Sequence, residues 1–123
     1  MATVNPTVTD LVGNGQVIKV VWPLTTANSD GAPLHPKYME YSDRTIYFIG
    51  TWGGATAALQ GGDGSAWLPL TDPQGNAISK TTDAIEVVTE IPEWCRPNLT
   101  TPGAGATVTV TMILRRGFRK GAI

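Results

Sequence analysis

Along the chain, apolar and polar side chains alternate with a period of two in one segment after another, and no stretch keeps helical spacing through three turns. From Thr107 to Arg115 the pattern is clearest. Val108, Val110, Met112 and Leu114 fall on one side and Thr107, Thr109, Thr111 and Arg115 on the other, which predicts a strand with one buried face. Ile46 and Phe48 alternate with Thr45, Tyr47 and Ile49; Ala55, Ala57 and Leu59 with Thr56, Ala58 and Gln60; Ile85 and Val87 with Glu86 and Val88. Residues 16–22 form a more continuous apolar run, as expected of a strand covered on both sides. Residues 4–12, 67–70 and 93–99 are further, less regular strands.

Turn formers separate these runs. Gly61-Gly62-Asp63-Gly64 offers positive φ and an Asp able to bond its own backbone, a hairpin signal between Leu59 and Trp67. Asp72-Pro73-Gln74-Gly75 starts a β-turn, and Pro102-Gly103-Ala104-Gly105 does the same before the last strand. Roughly seven or eight short strands at this spacing predict an all-β fold: one antiparallel β-sandwich domain, jelly-roll-like, over residues 1–123. Extended arms are expected at 1–15 and 117–123. Residues 23–40, with Pro23, Pro33 and Pro36, read as a long surface loop.

Composition agrees with that class. With 123 residues the chain has one domain's worth of surface to bury, and two packed domains are excluded. Only 15% of residues are charged while 41% are hydrophobic, which is not the composition of a disordered chain. Threonine fills the place of charge, and a branched Cβ suits a pleated surface better than a helix. The first nine residues carry no basic and apolar signal segment, and nowhere do eighteen apolar residues run together, so synthesis in the cytosol without membrane insertion is expected. Asn98-Leu99-Thr100 is then not a glycosylation site. Charge is unevenly placed: residues 1–114 hold five basic and ten acidic side chains, whereas Arg115, Arg116, Arg119 and Lys120 follow with no acid among them. Such a tail suits an acidic protein surface; it is too short and unspecific to predict nucleic acid as the partner.

The inventory of reactive groups is thin. His35 is the single histidine, between Leu34 and Pro36, with no nucleophile motif beside it. Cys95 is the single cysteine, so neither an internal disulfide nor a multi-cysteine metal site can form, and it reads as a small buried residue. Glu86 and Glu90 on one strand would stand roughly 13 Å apart, beyond the ~5–9.5 Å of paired glycosidase carboxylates, and read as a solvated face. Asp63 reads as a turn residue, because the acidic spacing of a calcium loop is missing. No catalytic residue, cofactor or metal is expected. The four tryptophans, Trp22, Trp52, Trp67 and Trp94, raise a sugar-binding alternative, with Trp52 beside Gly53-Gly54 as the platform and the others in the core and its rims.

The order of motifs carries a resemblance. Residues 46–78 run strand, Gly53-Gly54, strand, Asp63-Gly64, Trp67, Asp72 to Gly75; Arg96-Pro97 follows, and a Thr/Val strand closes on Arg115-Arg116. This order, over roughly residues 44–116, resembles the head decoration, or cement, proteins of tailed phages; here Gly62 stands before the Asp-Gly step where Ser or Asn would be expected. The resemblance implies a non-enzymatic β-sandwich, commonly a trimer, on the outside of the capsid, made in the host cytoplasm and bridging neighbouring capsomers by contact with the major capsid protein. Arg115, Arg116, Phe118, Arg119, Lys120 and Trp52 are the candidate shell or subunit contacts. A head-to-tail joining or tail protein of a phage is the nearest alternative, and a carbohydrate-binding module the alternative from another class.

Overall fold

The computed structural model describes residues 3–116; the expected 117–123 arm, with Phe118, Arg119 and Lys120, lies outside them. Among the described residues there are eleven strands: β1 (Thr3–Val4), β2 (Thr7–Asp10), β3 (Val17–Thr25), β4 (Asp30–Gly31), β5 (Asp43–Thr51), β6 (Thr56–Gly62), β7 (Trp67–Pro69), β8 (Ser79–Lys80), β9 (Ala84–Val88), β10 (Trp94–Thr101) and β11 (Thr107–Arg115). One 3-10 turn, Pro36–Glu40, is the only helical element among the described residues. The strands form two sheets. One runs β1-β4-β10-β6-β7 with β8 also pairing β6, and the other runs β2-β3-β11-β5-β9. All pairs are antiparallel except β1 with β4. The all-β sandwich expected from the alternation is therefore the fold.

Period two builds the core directly. Ile18, Val20, Trp22 and Leu24 of β3, Ile46 and Phe48 of β5, and Val108, Val110, Met112 and Leu114 of β11 face Ala57 and Leu59 of β6 and Cys95 and Leu99 of β10 in one buried cluster. Burial at roughly 25 cal/mol per Å² of apolar surface makes this layer the main source of stability. Because β3 alternates buried and open positions, with Lys19 and Pro23 exposed, it is covered on one face and not on two.

Three expectations change for physical reasons. Residues 23–40 are not a surface loop. Pro23 to Thr25 complete β3, Asp30 and Gly31 form β4, Ser29 and Leu34 are buried, and backbone bonds tie the stretch to β10 (Leu99 N to Ser29 O, 2.8 Å; Leu34 N to Cys95 O, 2.7 Å). Residues 3–10 are not a separate arm either, since β1 joins one sheet and β2 the other. In β9 the apolar positions point the unexpected way. Ala84, Glu86 and Val88 lie opposite Phe48, Ile46 and Arg44, all inward positions of β5, so register turns Ile85 and Val87 outward. Glu86 consequently meets Lys80 from the opposing sheet and is not part of a solvated face. Glu90 lies beyond the end of β9 and accepts from Thr71 N at 2.6 Å.

Candidate functional site

The basic end of the described chain sits where β11, the start of β5, the 11–15 turn and the 3-10 turn converge. Arg115 Nη1 lies 3.3 Å from Asp43 Oδ1 and 3.4 Å from Thr45 Oγ1. Arg116 donates from Nε to Gly15 O and from Nη1 to Glu40 Oε1, both at 3.0 Å, with its guanidinium 5.1 Å from the Tyr41 ring centre. Tyr41 donates its hydroxyl to the same Gly15 carbonyl at 2.6 Å, and Asp10 holds the turn by accepting from Gly13 N and Gly15 N. Asp43, Arg115, Glu40 and Arg116 keep their side chains well exposed, so the pairs contribute at most about 1 kcal/mol each. Two of the four cations read as a basic tail are thus already matched to carboxylates of the body.

Trp52 is half-buried and packed against the core. Its Nε1 donates to Asp83 Oδ1 at 2.9 Å, and Gly50 N donates to the same oxygen at 3.0 Å. These two bonds, the indole's first, pull the Asp83 carboxyl below its ordinary range. The indole is a strut between β5 and the turn before β9. The other tryptophans are likewise engaged: Trp22 is fully buried, Arg96 lies 4.3 Å over the Trp67 ring, and Trp94 meets the His35 ring edge-on at 6.5 Å.

The remaining reactive groups have structural tasks. His35 Nδ1 accepts from Lys37 N at 3.0 Å and caps the 3-10 turn. Asp63 Oδ1 accepts from Ser65 N, Ala66 N and Ser65 Oγ, each at 3.0 Å, which lowers its carboxyl to about 2 and fixes the β6–β7 hairpin. Among the described residues no three His, Cys, Asp or Glu side chains group closely enough to hold a metal ion. Cys95 is buried, and desolvation raises its thiol to about 11 against the opposing pull of Arg44. At pH 8 such a thiol is about one part in a thousand thiolate. A soluble thiol reagent is therefore expected to leave Cys95 unmodified in the folded protein and to react once denaturant is added; rapid native-state labelling, read by mass, would contradict its placement.

Arg44 was not singled out by motif. It occupies the inward register of Ile46 and Phe48 on β5 and is buried between the sheets. Nε donates to Tyr41 O at 2.8 Å and Nη2 to Tyr38 O at 3.0 Å, while Nη1 is buried without a hydrogen-bond partner. Desolvation lowers its pKa, with proximity to Cys95 acting the other way. The two carbonyls explain how an arginine holds this position: it pins the 3-10 turn across the end of the core. Period two placed it there, and its acceptors are local, the carbonyls three and six residues earlier that the 3-10 turn brings back over the guanidinium.

An open apolar surface lies on the outer face of the five-stranded sheet. Cross-strand rows place Val21, Thr111, Tyr47 and Ile85 side by side, then Lys19, Ile113, Thr45 and Val87. Leu11, Lys19, Tyr47, Ile49, Thr111 and Ile113 line a shallow open groove there. Ile49, Ile85 and Val87 are 54%, 62% and 51% exposed, and patches of this kind commonly mark a protein interface. The alternation hid the β9 part of this face, because an outward Ile85 reads the same as an inward one until register is known. No helix among the described residues is long and apolar enough to cross a membrane.

No protein-family model and no curated protein matches the sequence. Among solved structures, this chain is similar to a cupin domain from Bordetella pertussis Tohama I, with 15% identity and a TM-score of 0.41, over 94% of this chain and 98% of that one.

Proposed function

We propose that the protein is a non-enzymatic structural component of a tailed-phage virion that decorates the outside of the capsid and stabilises it by bridging capsomers. The observation that carries this reading is the ordered motif set over residues 44–116, which coincides with the structural frame itself: β5, the Gly53-Gly54 turn, β6, the Asp63 turn, β7, the Asp72 turn, β10 with Arg96-Pro97, and β11 ending at Arg115. Its open apolar sheet face suits a protein that acts through surfaces. A molecule that binds the assembled shell and not its separated parts raises shell stability by mass action, and many copies multiply the effect. No covalent step is needed.

Particles from a host carrying the gene are expected to contain the protein, and antibody against it to label the head. Label at the neck or tail would place it as a joining or tail protein, and absence from purified particles would overturn the virion reading. Removing residues 117–123 is expected to weaken attachment to purified shells at least about tenfold while circular dichroism stays unchanged, since Phe118, Arg119 and Lys120 are the basic and aromatic groups outside the described frame. Undiminished binding by the truncated chain would move the contact to the sheet face.

A further inference from the structure

The two sheets end on edges that differ in how they resist another strand. In the larger sheet, β1 and β8 have two residues each, and β7 has three and ends on Pro69, which has no N–H to offer. In the other sheet, β2 reads Thr7-Val8-Thr9-Asp10, and its closing carboxylate is engaged in the next turn. The opposite edge, β9, has none of these features. It runs five residues in unbroken register, from Arg44 opposite Val88 to Phe48 opposite Ala84, with no proline, lysine or bulge. Its outward side chains are Ile85 and Val87, both more than half exposed. Its one charge, Glu86, points inward. An inward carboxylate normally protects an edge because a covering strand would strand it without water. Here Lys80 of β8 already neutralises it.

We propose that β9 joins two copies of this chain, antiparallel and edge to edge across a two-fold axis, merging their five-stranded sheets into one continuous sheet. The second copy is favoured over an unrelated strand because a two-fold axis makes the edge its own complement. Unpaired backbone donors meet acceptors, and pairing centred on Glu86 sets Ile85 of one copy opposite Val87 of the other at the ~4.5–5.5 Å spacing of cross-strand neighbours. On the inward face the same register sets the two Glu86 side chains opposite each other, a juxtaposition that is tolerable because each is neutralised by its own Lys80. The same pairing makes the apolar rows through Tyr47 and Ile85 continuous from one copy to the next. An edge of five residues buries less than the ~1,200 Å² of a standard stable interface, so the association is expected to be weak and reversible. The dimer thus fills at high local concentration. It differs from the trimer that the phage resemblance implies.

Sedimentation velocity on the full chain, over roughly 1–500 μM, the range in which a weak interface fills, tests this. The sedimenting mass is expected to rise from one chain to two. Ile85→Lys and Val87→Lys, both at exposed positions, should each raise the dissociation constant at least tenfold, and Thr9→Lys on the opposite edge should leave it unchanged. Lys80→Ala should weaken the dimer by baring Glu86, and adding Glu86→Gln to it should restore association, an effect that general loss of packing would not produce. A monomer throughout, a trimer, a dimer indifferent to both lysine substitutions, or a Lys80→Ala loss that Glu86→Gln fails to repair overturns the proposal.

Discussion

Trp22→Ala is expected to cost about 3–5 kcal/mol, the range for removing a large aromatic side chain from a packed core. Trp22 is fully buried on β3 among Val20, Leu24 and the inward residues of β11, and its Nε1 donates to Ala32 O at 2.8 Å. The indole therefore does two things: it fills the centre of the sandwich and anchors the 23–40 stretch to the five-stranded sheet. A domain of this size has only about 5–15 kcal/mol in hand, so the variant should unfold at a much lower urea concentration or fail to fold at ambient temperature. Trp22→Phe keeps most of the volume and loses the bond, leaving a carbonyl unsatisfied; a cost of about 1–3 kcal/mol is expected. Urea midpoints followed by circular dichroism give both values. A Trp22→Ala protein within about 1 kcal/mol of the parent would show that Trp22 is not the keystone of this core.

A second large effect is expected at the turn after β5. Gly53 and Gly54 both have positive φ, +53° and +85°, where a non-glycine residue costs about 1–2 kcal/mol. They differ in surroundings. A Cβ on Gly54 meets nothing within 4 Å, but one on Gly53 would fall 2.1 Å from the Ala104 carbonyl oxygen, in the turn that leads into β11. That turn is locked to the first by Ala104 N donating to Gly53 O at 2.9 Å. Gly54→Ala should therefore cost only the backbone strain, and Gly53→Ala at least about 2 kcal/mol more, because two main chains must separate. Equal losses at the two positions, measured by denaturation, would mean that the turns are not interlocked as described.

What could be read in the sequence follows how local its cause is. β11 was legible residue by residue because a strand with one buried face writes its orientation into alternate side chains, and the same holds for β5 and β6. β9 was legible as a strand but not in its facing, since Ile85 and Val87 are turned outward by their register with β5 and not by their own polarity. Residues 23–40 misled because prolines and short polar residues suggest a loop, whereas burial of Ser29 and Leu34 comes from backbone bonds to β10 more than sixty residues on. At the candidate contact surface, the basic character of Arg115 and Arg116 was plain, but their partners Asp43 and Glu40 lie 72 and 76 residues earlier in the chain. A charge count has no access to such pairings. Of the outer apolar face, the alternation of β5 already turned Tyr47 and Ile49 outward, whereas the contribution of Ile85 and Val87 depends on register with β5.

The five-stranded sheet places β11, the last of the described strands in chain order, between β3 and β5. While the nascent chain is still on the ribosome, β3 and β5 emerge with apolar faces and unfilled hydrogen-bonding edges, and only residues 107–115 can fill the gap between them. Completion of this half of the sandwich must therefore wait until translation has passed its central strand, which leaves a window in which a chaperone, or a neighbouring chain on the same message, can reach β3 and β5 first.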